Sequence, residues 1–307
     1  PSDYSVAATD GSQIFPDRHE ISSCFLINIG YVLLHYGRSE RPLLSSKPSL
    51  FFKPEDLYHD WGGRKVLATR ETVGFKRGML ELTELAELAG AAVDDGFHPL
   101  AAADGTLILW NLEGKPKDVR QAALTAVTRS WDRLRSNRVP VAGYISQPGS
   151  RELVNALRVG ICPLDQPDCD HCPWQLAANA AVGEQGVPCM PIDGLRDATL
   201  LRPQLKPGER TGIFGSSSKI LAEYGEHRIC FFYLHAGTEI ARVEIPAWVA
   251  ADDQMLNQVH AIMFDQAEKG RGYPVALAEA HERAVVRGSD REAFYGSLRQ
   301  HLVKHEL

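Results

Sequence analysis

The chain has 307 residues, 44% of them hydrophobic and 23% charged, enough to bury a sizeable core in one large domain or two smaller ones. A formal net charge of −6 excludes a protein that grips nucleic acid by bulk attraction, while leaving room for a local basic channel. No apolar run approaches the ~20 residues that span a bilayer, and the opening "PSDYSVAATDGSQ" lacks the basic and apolar regions of a secretory leader, so a cytoplasmic protein without membrane contact is expected.

In chain order, the alternation in "YSVAAT" predicts a first strand ending at Asp10, with "DGSQ" supplying turn chemistry. "EISSCFLINIGYVLLHYG" reads as one or two further strands, antiparallel to the first because the connection is short. The period changes to helical over "ETVGFKRGMLELTELAELAGAAVDDG", where Met79, Leu82, Leu85, Ala86 and Ala89 form the buried stripe. "AAADGTLILWNLEG" follows as a strand with Asp104 at its start, then the long helix "PKDVRQAALTAVTRSWDRLRSNR", the strand "VPVAGYIS" and the helix "GSRELVNALRVG". Residues 163 to about 210 are rich in Pro, Gly and Asp with weak periodicity and read as an irregular excursion. Regular structure returns with a hairpin, "HRICFFYLH" and "TEIARVEIP" joined by "AGTE", an amphipathic helix in "ADDQMLNQVHAIMFDQAEKG" and a closing helix in "SDREAFYGSLRQHLVKHE". Strands alternating with helices indicate the α/β class, with a mixed sheet flanked by helices.

The stretch "GYPVALAEAHERAVV" adds a helix whose first residue is expected to be Pro274. Steps of three and four from His281 reach Pro274, Leu277, Ala278, Ala284 and Val285, so His281 is expected to be at least partly buried and to need a partner.

Asp10 and Asp104 each precede Gly, in "DGSQ" and "DGTL". Singly each is a common turn residue. Together, two carboxylates from strand ends of one sheet can meet at a divalent cation. Glu81, Glu84 and Glu87 lie on the helix between them, where a solvated face with Glu81 paired to Arg77 one turn earlier is the simpler reading; Glu81 is nearest the apolar stripe and is the best third ligand, with Glu84 as the alternative. Oxygen donors with one imidazole, from Asp10, Glu81, Asp104 and His281, suit Mn²⁺ or Mg²⁺ better than a structural zinc, and such ions, held ~4 Å apart in pairs, support in-line phosphoryl displacement.

Basic residues cluster at Lys76 and Arg77, at Lys115, Lys117 and Arg120, and at Arg129, Arg133, Arg135 and Arg138; solvated helix faces account for each cluster taken singly. "GIFGSSSK" lacks the G-K-[ST] ending of a phosphate-binding loop, which excludes a nucleoside triphosphatase of that type. "CPLDQPDCDHC", with Cys189 further on, makes Cys162, Cys169, Cys172 and Cys189 candidates for a structural metal, though the spacing is not a double C-x-x-C; reduced cysteines in a cytosolic loop are the competing reading.

Taken in order, "ATDGSQ", "RGMLE", "ADGTL", "FYL" with "RVEIP", and "GYPVALAEAHE" resemble the NurA nucleases over residues 5 to about 300. The resemblance implies a single RNase H-like domain over 1–307, a ring-shaped homodimer, and Mn²⁺-dependent hydrolysis of DNA, both as a 5′ to 3′ exonuclease and as a single-strand endonuclease. It also implies work in DNA end resection at double-strand breaks, near the nucleoid, with a hexameric HerA-type ATPase as motor and partner. It matches Asp10, Glu81 and Asp104 to the family's acidic metal ligands, Tyr273 and His281 to its C-terminal active-site pair, and Lys219 to a position that contacts phosphate, where a solvated lysine is the simpler reading. Two other functions compete: a non-catalytic dimeric clamp or adaptor for a translocase, and a related hydrolase of RNA or branched DNA.

Overall fold

The computed structural model describes residues 3–15, 24–61, 63–112, 115, 117–173 and 188–305. Its strands are β1 (Tyr4–Ile14), β2 (Phe25–Tyr36), β3 (Leu43–Phe51), β4 (Tyr58–Trp61), β5 (Arg64–Leu67), β6 (Pro99–Asp104), β7 (Val141–Ile145), β8 (Phe214–Gly215), β9 (Ile229–His235) and β10 (Ile240–Pro246). Its helices are α1 (Pro54–Leu57), α2 (Arg70–Asp94), α3 (Lys117–Ser136), α4 (Glu152–Gly160), α5 (Asp197–Leu201), α6 (Ala247–Ala250), α7 (Asp253–Lys269), α8 (Val275–Ala284) and α9 (Gly288–His305).

Eight strands make one mixed sheet in the order β3-β2-β1-β6-β7-β10-β9-β8, and β4 and β5 pair as a separate hairpin. The centre is parallel, β1 beside β6 beside β7, and the flanks are antiparallel. Alternation decides which side chains face which layer. Val6, Ala8, Leu100, Ala102 and Ala142 face α7 and α8, where they meet Leu256, Val259, Met263, Leu277 and Ala280. Ala7, Ala101 and Val141 face α2 and α3, against Leu85, Ala89, Leu124 and Trp131. Because helices cover both faces, the central strands are apolar at nearly every position, as parallel strands require. α2 starts at a reciprocal cap in which Thr69 accepts from the Thr72 N–H and the Thr72 hydroxyl returns the contact.

Two expectations about strand ends are corrected. Asp10 lies inside β1, which continues to Ile14 because pairing with β2 persists from Asp10↔Gly30 to Ile14↔Leu26. Pairing with β6, in contrast, stops at Thr9↔Ala103, so the acid stands where β1 loses its parallel neighbour. Asp104 ends β6 instead of starting a strand. The apolar "TLIL" that follows is a buried loop: Leu107 and Ile108 are each 1% exposed, and the Glu244 carboxylate accepts from the Leu107 N–H at 2.9 Å. The excursion after residue 163 contains α5 and one short 3-10 turn where it is described; residues 174–187, like 16–23 ahead of β2, fall outside the described residues. β3, α1 and the β4/β5 hairpin were not anticipated. Among the described residues, no helix is long and apolar enough to cross a membrane.

α8 lies directly on the β1/β2 pair. A β-carbon on Gly30, in β2, would come within 2.3 Å of the Ala284 nitrogen and 2.4 Å of the Ala280 carbonyl oxygen, so helix backbone touches strand backbone there. Polar side chains fasten both ends of the helix. The Gln266 carbonyl accepts the Ala276 N–H at 3.0 Å near the start, and the Asn28 amide donates to the Ala284 carbonyl at 2.9 Å and the Arg283 carbonyl at 3.2 Å at the finish. These groups would otherwise be unpaired helix termini. Placing alanine at Gly30 is therefore expected to cost about 3 kcal/mol through overpacking against backbone that cannot yield. Gly74→Ala in α2, where the added carbon meets nothing within 4 Å, should instead gain ~0.5–1 kcal/mol from helix propensity. Urea unfolding of both variants checks the pair.

Candidate metal and phosphodiester site

The C-terminal ends of the parallel strands carry the chemistry-bearing residues. Asp10 and Asp104 belong, with Val6, Ala8, Leu100 and Ala102, to the sheet face under α8. Asp10 is 18% exposed and its Oδ2 lies 2.7 Å from His281 Nδ1. Its other oxygen accepts the N–H of Gly11 at 2.8 Å, which holds the carboxyl against its own strand. Tyr273, in the turn that leads into α8, hydrogen-bonds through its hydroxyl to Asp104. Burial first, and then the hydrogen bond and negative charge of Asp104, push the Tyr273 phenol well above its ordinary range, so it stays protonated as a donor.

Glu81 approaches from the opposite side, on α2. Thr9 tethers that helix to β1 by donating to the Glu81 carbonyl at 3.0 Å. The carboxylate comes so close to the strand that a β-carbon on Gly11 would sit 2.4 Å from Glu81 Oε1, and the Gly11 N–H reaches Glu81 as well as Asp10. Arg77, one turn earlier, brings its Nε to 3.1 Å from Glu81 Oε1. The contact is an ion pair without hydrogen-bond alignment, since neither of these buried atoms has a hydrogen-bond partner; the Arg77 Nη1 donates to the Gly11 carbonyl instead. Desolvation raises the Glu81 carboxyl to about 7, Arg77 works in the opposite direction, and the charges of Asp10 and Asp104 add to the rise. Glu84 is disposed differently, 2.7 Å from Lys47 on β3, and Glu87 lies 4.0 Å from the same ammonium.

The five residues Asp10, Glu81, Asp104, Tyr273 and His281 are thus linked by contacts or by charge. One expectation fails: His281 is 61% exposed and is not buried. The stripe of α8 that packs on the sheet is Ala276, Leu277, Ala280 and Ala284, one step round the helix, and the helix begins at Val275 with Pro274 as its cap. His281 therefore sits at the edge of that stripe, where its ring reaches Asp10 and leaves most of its surface to solvent.

Among the described residues, no three His, Cys, Asp or Glu side chains are placed to hold one ion. For the acids the reason is visible: Asp10 is engaged by His281, Glu81 by Arg77 and Asp104 by Tyr273. The donor set still suits a hard cation, because three mutually repelling carboxyl groups share one sheet edge and the buried Glu81 Oε1 accepts no hydrogen bond. The cysteine stretch expected as a candidate structural metal site is likewise not assembled; Cys169 is exposed, and Arg158 contacts the Cys189 thiol. Lys219 stands apart from the acids, exposed at the start of a 3-10 turn on the rim of a cavity of about 610 Å³. A cavity of about 560 Å³ at the opposite sheet edge, lined by Tyr4, Arg38 and Arg138, contains none of the five. The basic clusters are largely matched by acids, as in Lys76 with Asp56, Arg120 with Glu223 and Arg138 with Asp252.

The Arg77–Glu81 pair expected from the i,i+4 spacing is present; sequence reasoning missed Gly30, Asn28 and Gln266, which hold α8. An isolated Gly within the strand-like run "INIGYVLL" was the available clue to a close backbone approach.

The NurA domain family matches residues 4–286. No curated protein matches the chain. Among solved structures, the crystal structure of the NurA nuclease from Sulfolobus solfataricus is similar with a TM-score of 0.58 at 14% identity, covering 98% of this chain and 85% of that one. At that identity the likeness shows the fold. A structure of NurA bound to dAMP and manganese has a TM-score of 0.39 at 12% identity over 93% of this chain and 86% of that one, too loose a match to carry an argument.

The Glu81 environment has a measurable consequence. Its carboxyl rises from 4.5 to about 7 on folding, so below the lower value both states are protonated and nothing is lost. As pH climbs through that window the unfolded chain ionises first and stability falls, with the full loss reached above the upper value. Glu81→Gln removes this dependence, and in metal-free buffer the parent should lose ~2 kcal/mol relative to the variant between pH 5 and 8. Parallel denaturation curves across that pH range test it.

Proposed function

The chain belongs to the NurA family, and on that premise we propose that it is a metal-dependent deoxyribonuclease that uses Mn²⁺, with Mg²⁺ as a substitute. The observation that carries this reading is the gathering of Asp10, Glu81 and Asp104 at one sheet edge, close enough that the first and last raise the Glu81 carboxyl, with Tyr273 and His281 contacting the two aspartates. Asp10, Glu81, Asp104 and His281 would hold the metal. When bound, such a cation supplies Lewis-acid neutralisation of a phosphodiester and lowers the pKa of water.

The protein's own groups have distinct parts. Tyr273, kept protonated, spends its one O–H on Asp104 and so fixes that carboxylate. His281 is held by Asp10 through Nδ1 and is open to solvent on most of its surface, which leaves its other nitrogen for the metal. Arg77 limits the repulsion among the acids. The finer parts of the reading follow from the family: one RNase H-like domain over the whole chain, a homodimer, 5′ to 3′ exonuclease and single-strand endonuclease action, end resection at double-strand breaks in the cytoplasmic nucleoid, and a HerA-type ATPase as partner. A purely adaptor role is less well supported, because it leaves the acid cluster without a use and would rely on basic residues that are mostly matched by acids.

Asp10→Ala and Asp104→Ala are expected to lower Mn²⁺-dependent release of nucleotides from linear DNA by about 100-fold or more. Their thermal midpoints should stay within a few degrees of the parent, since removing a carboxylate from a repelling cluster costs little stability. Variants that cut as well as the parent would place the reaction elsewhere.

A further inference from the structure

The 610 Å³ cavity past the end of β7, lined by none of the five residues above, has no part in the chemistry described, and the geometry points to a stacking subsite for a base of single-stranded DNA, with Trp110 as its platform. The inference rests on the nuclease reading and names how that site would hold its substrate. Trp110, Asn155, Ser217, Lys219 and Arg242 line the cavity, with Glu152 and Glu244. Its size falls within the range of small-molecule pockets, roughly 300–1,000 Å³.

Three observations converge. Trp110 is 44% exposed, and its Nε1 donates to Thr106 Oγ1 at 3.2 Å, so an accessible indole is held at a fixed angle. The same Thr106 donates to Glu244 Oε2 at 2.7 Å and stands two residues after Asp104, which ties the platform to the catalytic edge. Arg242 is 3% exposed, stacks over Phe231 and pairs with Glu152 and Glu244, so it lines the cavity as a charge already held by the protein. The carboxylates do not face the cavity unopposed: Glu244 accepts from Thr106, Leu107 and Arg242, and Glu152 from Ser216, Ser217 and Arg242.

The charges lining the cavity nearly balance, with Arg151, Lys219 and Arg242 against Glu152 and Glu244. Counterion release is therefore a minor contribution, and the face of a base laid on the exposed Trp110 indole is the ligand chemistry that fits. Only an unpaired strand offers that face, so the subsite favours single-stranded DNA over duplex.

Binding of labelled oligothymidylates of graded length, followed by fluorescence anisotropy in EDTA, tests this with Trp110→Ala and Trp110→Phe. The parent should gain affinity as the strand becomes long enough to reach the cavity. Trp110→Ala should lose roughly tenfold of that gain with its salt dependence unchanged, and Trp110→Phe should recover most of it. Equal binding by Trp110→Ala and the parent at every length, with the parent still cleaving DNA, overturns the subsite alone. Equal losses in both variants also overturn it, as does a folded Trp110→Phe that recovers none of the gain where Trp110→Ala fails to fold. A parent that neither binds nor cleaves DNA removes the nuclease reading and the subsite together.

Discussion

The contact on which the site depends is backbone against backbone, where α8 lies on the β1/β2 pair at Gly30. A side chain at that position would lift the helix, and with it His281, away from Asp10. Gln266, Asn28 and Ser12 secure the helix ends from the sheet and from α7, so the placement of His281 does not depend on the weak intrinsic stability of a ten-residue helix. The turn before the helix carries Tyr273 to Asp104 by the same placement. One missing side chain thus sets Tyr273 and His281 over the strand ends.

The edge itself follows from topology. In a parallel centre, the C-terminal strand ends open into a shared crevice. β1 outlasts its pairing with β6 by several residues, which leaves Asp10 supported by β2 on one side and open on the other. Gly11 completes the arrangement by letting Glu81 come up against the strand from the α2 side. Carboxyl groups then approach through and across the sheet, and their mutual repulsion, eased in part by Arg77, makes the place one where a cation would be drawn.

Much of this was legible in the residues. Alternation and helical period located β7, β9, β10, α2, α3, α4 and α7 within a few residues, because each buries an apolar pattern in the sheet or against it. Glu81 stood out from Glu84 by its angle to the apolar stripe, and the structure sets Glu84 against Lys47. What was not legible depended on partners distant in sequence. The extension of β1 past Asp10 comes from β2, the loop character of "TLIL" comes from Glu244 and a buried surface under Tyr224, and the exposure of His281 comes from how far α8 is rotated on Gly30. Local pattern fixes neither a register between strands nor the roll of a helix on a sheet.

Anomalous scattering from crystals soaked in Mn²⁺ tests the central claim most directly. The account predicts manganese density at the edge shared by β1 and β6, with Asp10, Glu81, Asp104 and His281 turned toward it and Tyr273 alongside. Manganese bound elsewhere, with these side chains keeping only their contacts to one another and to Arg77, would contradict it.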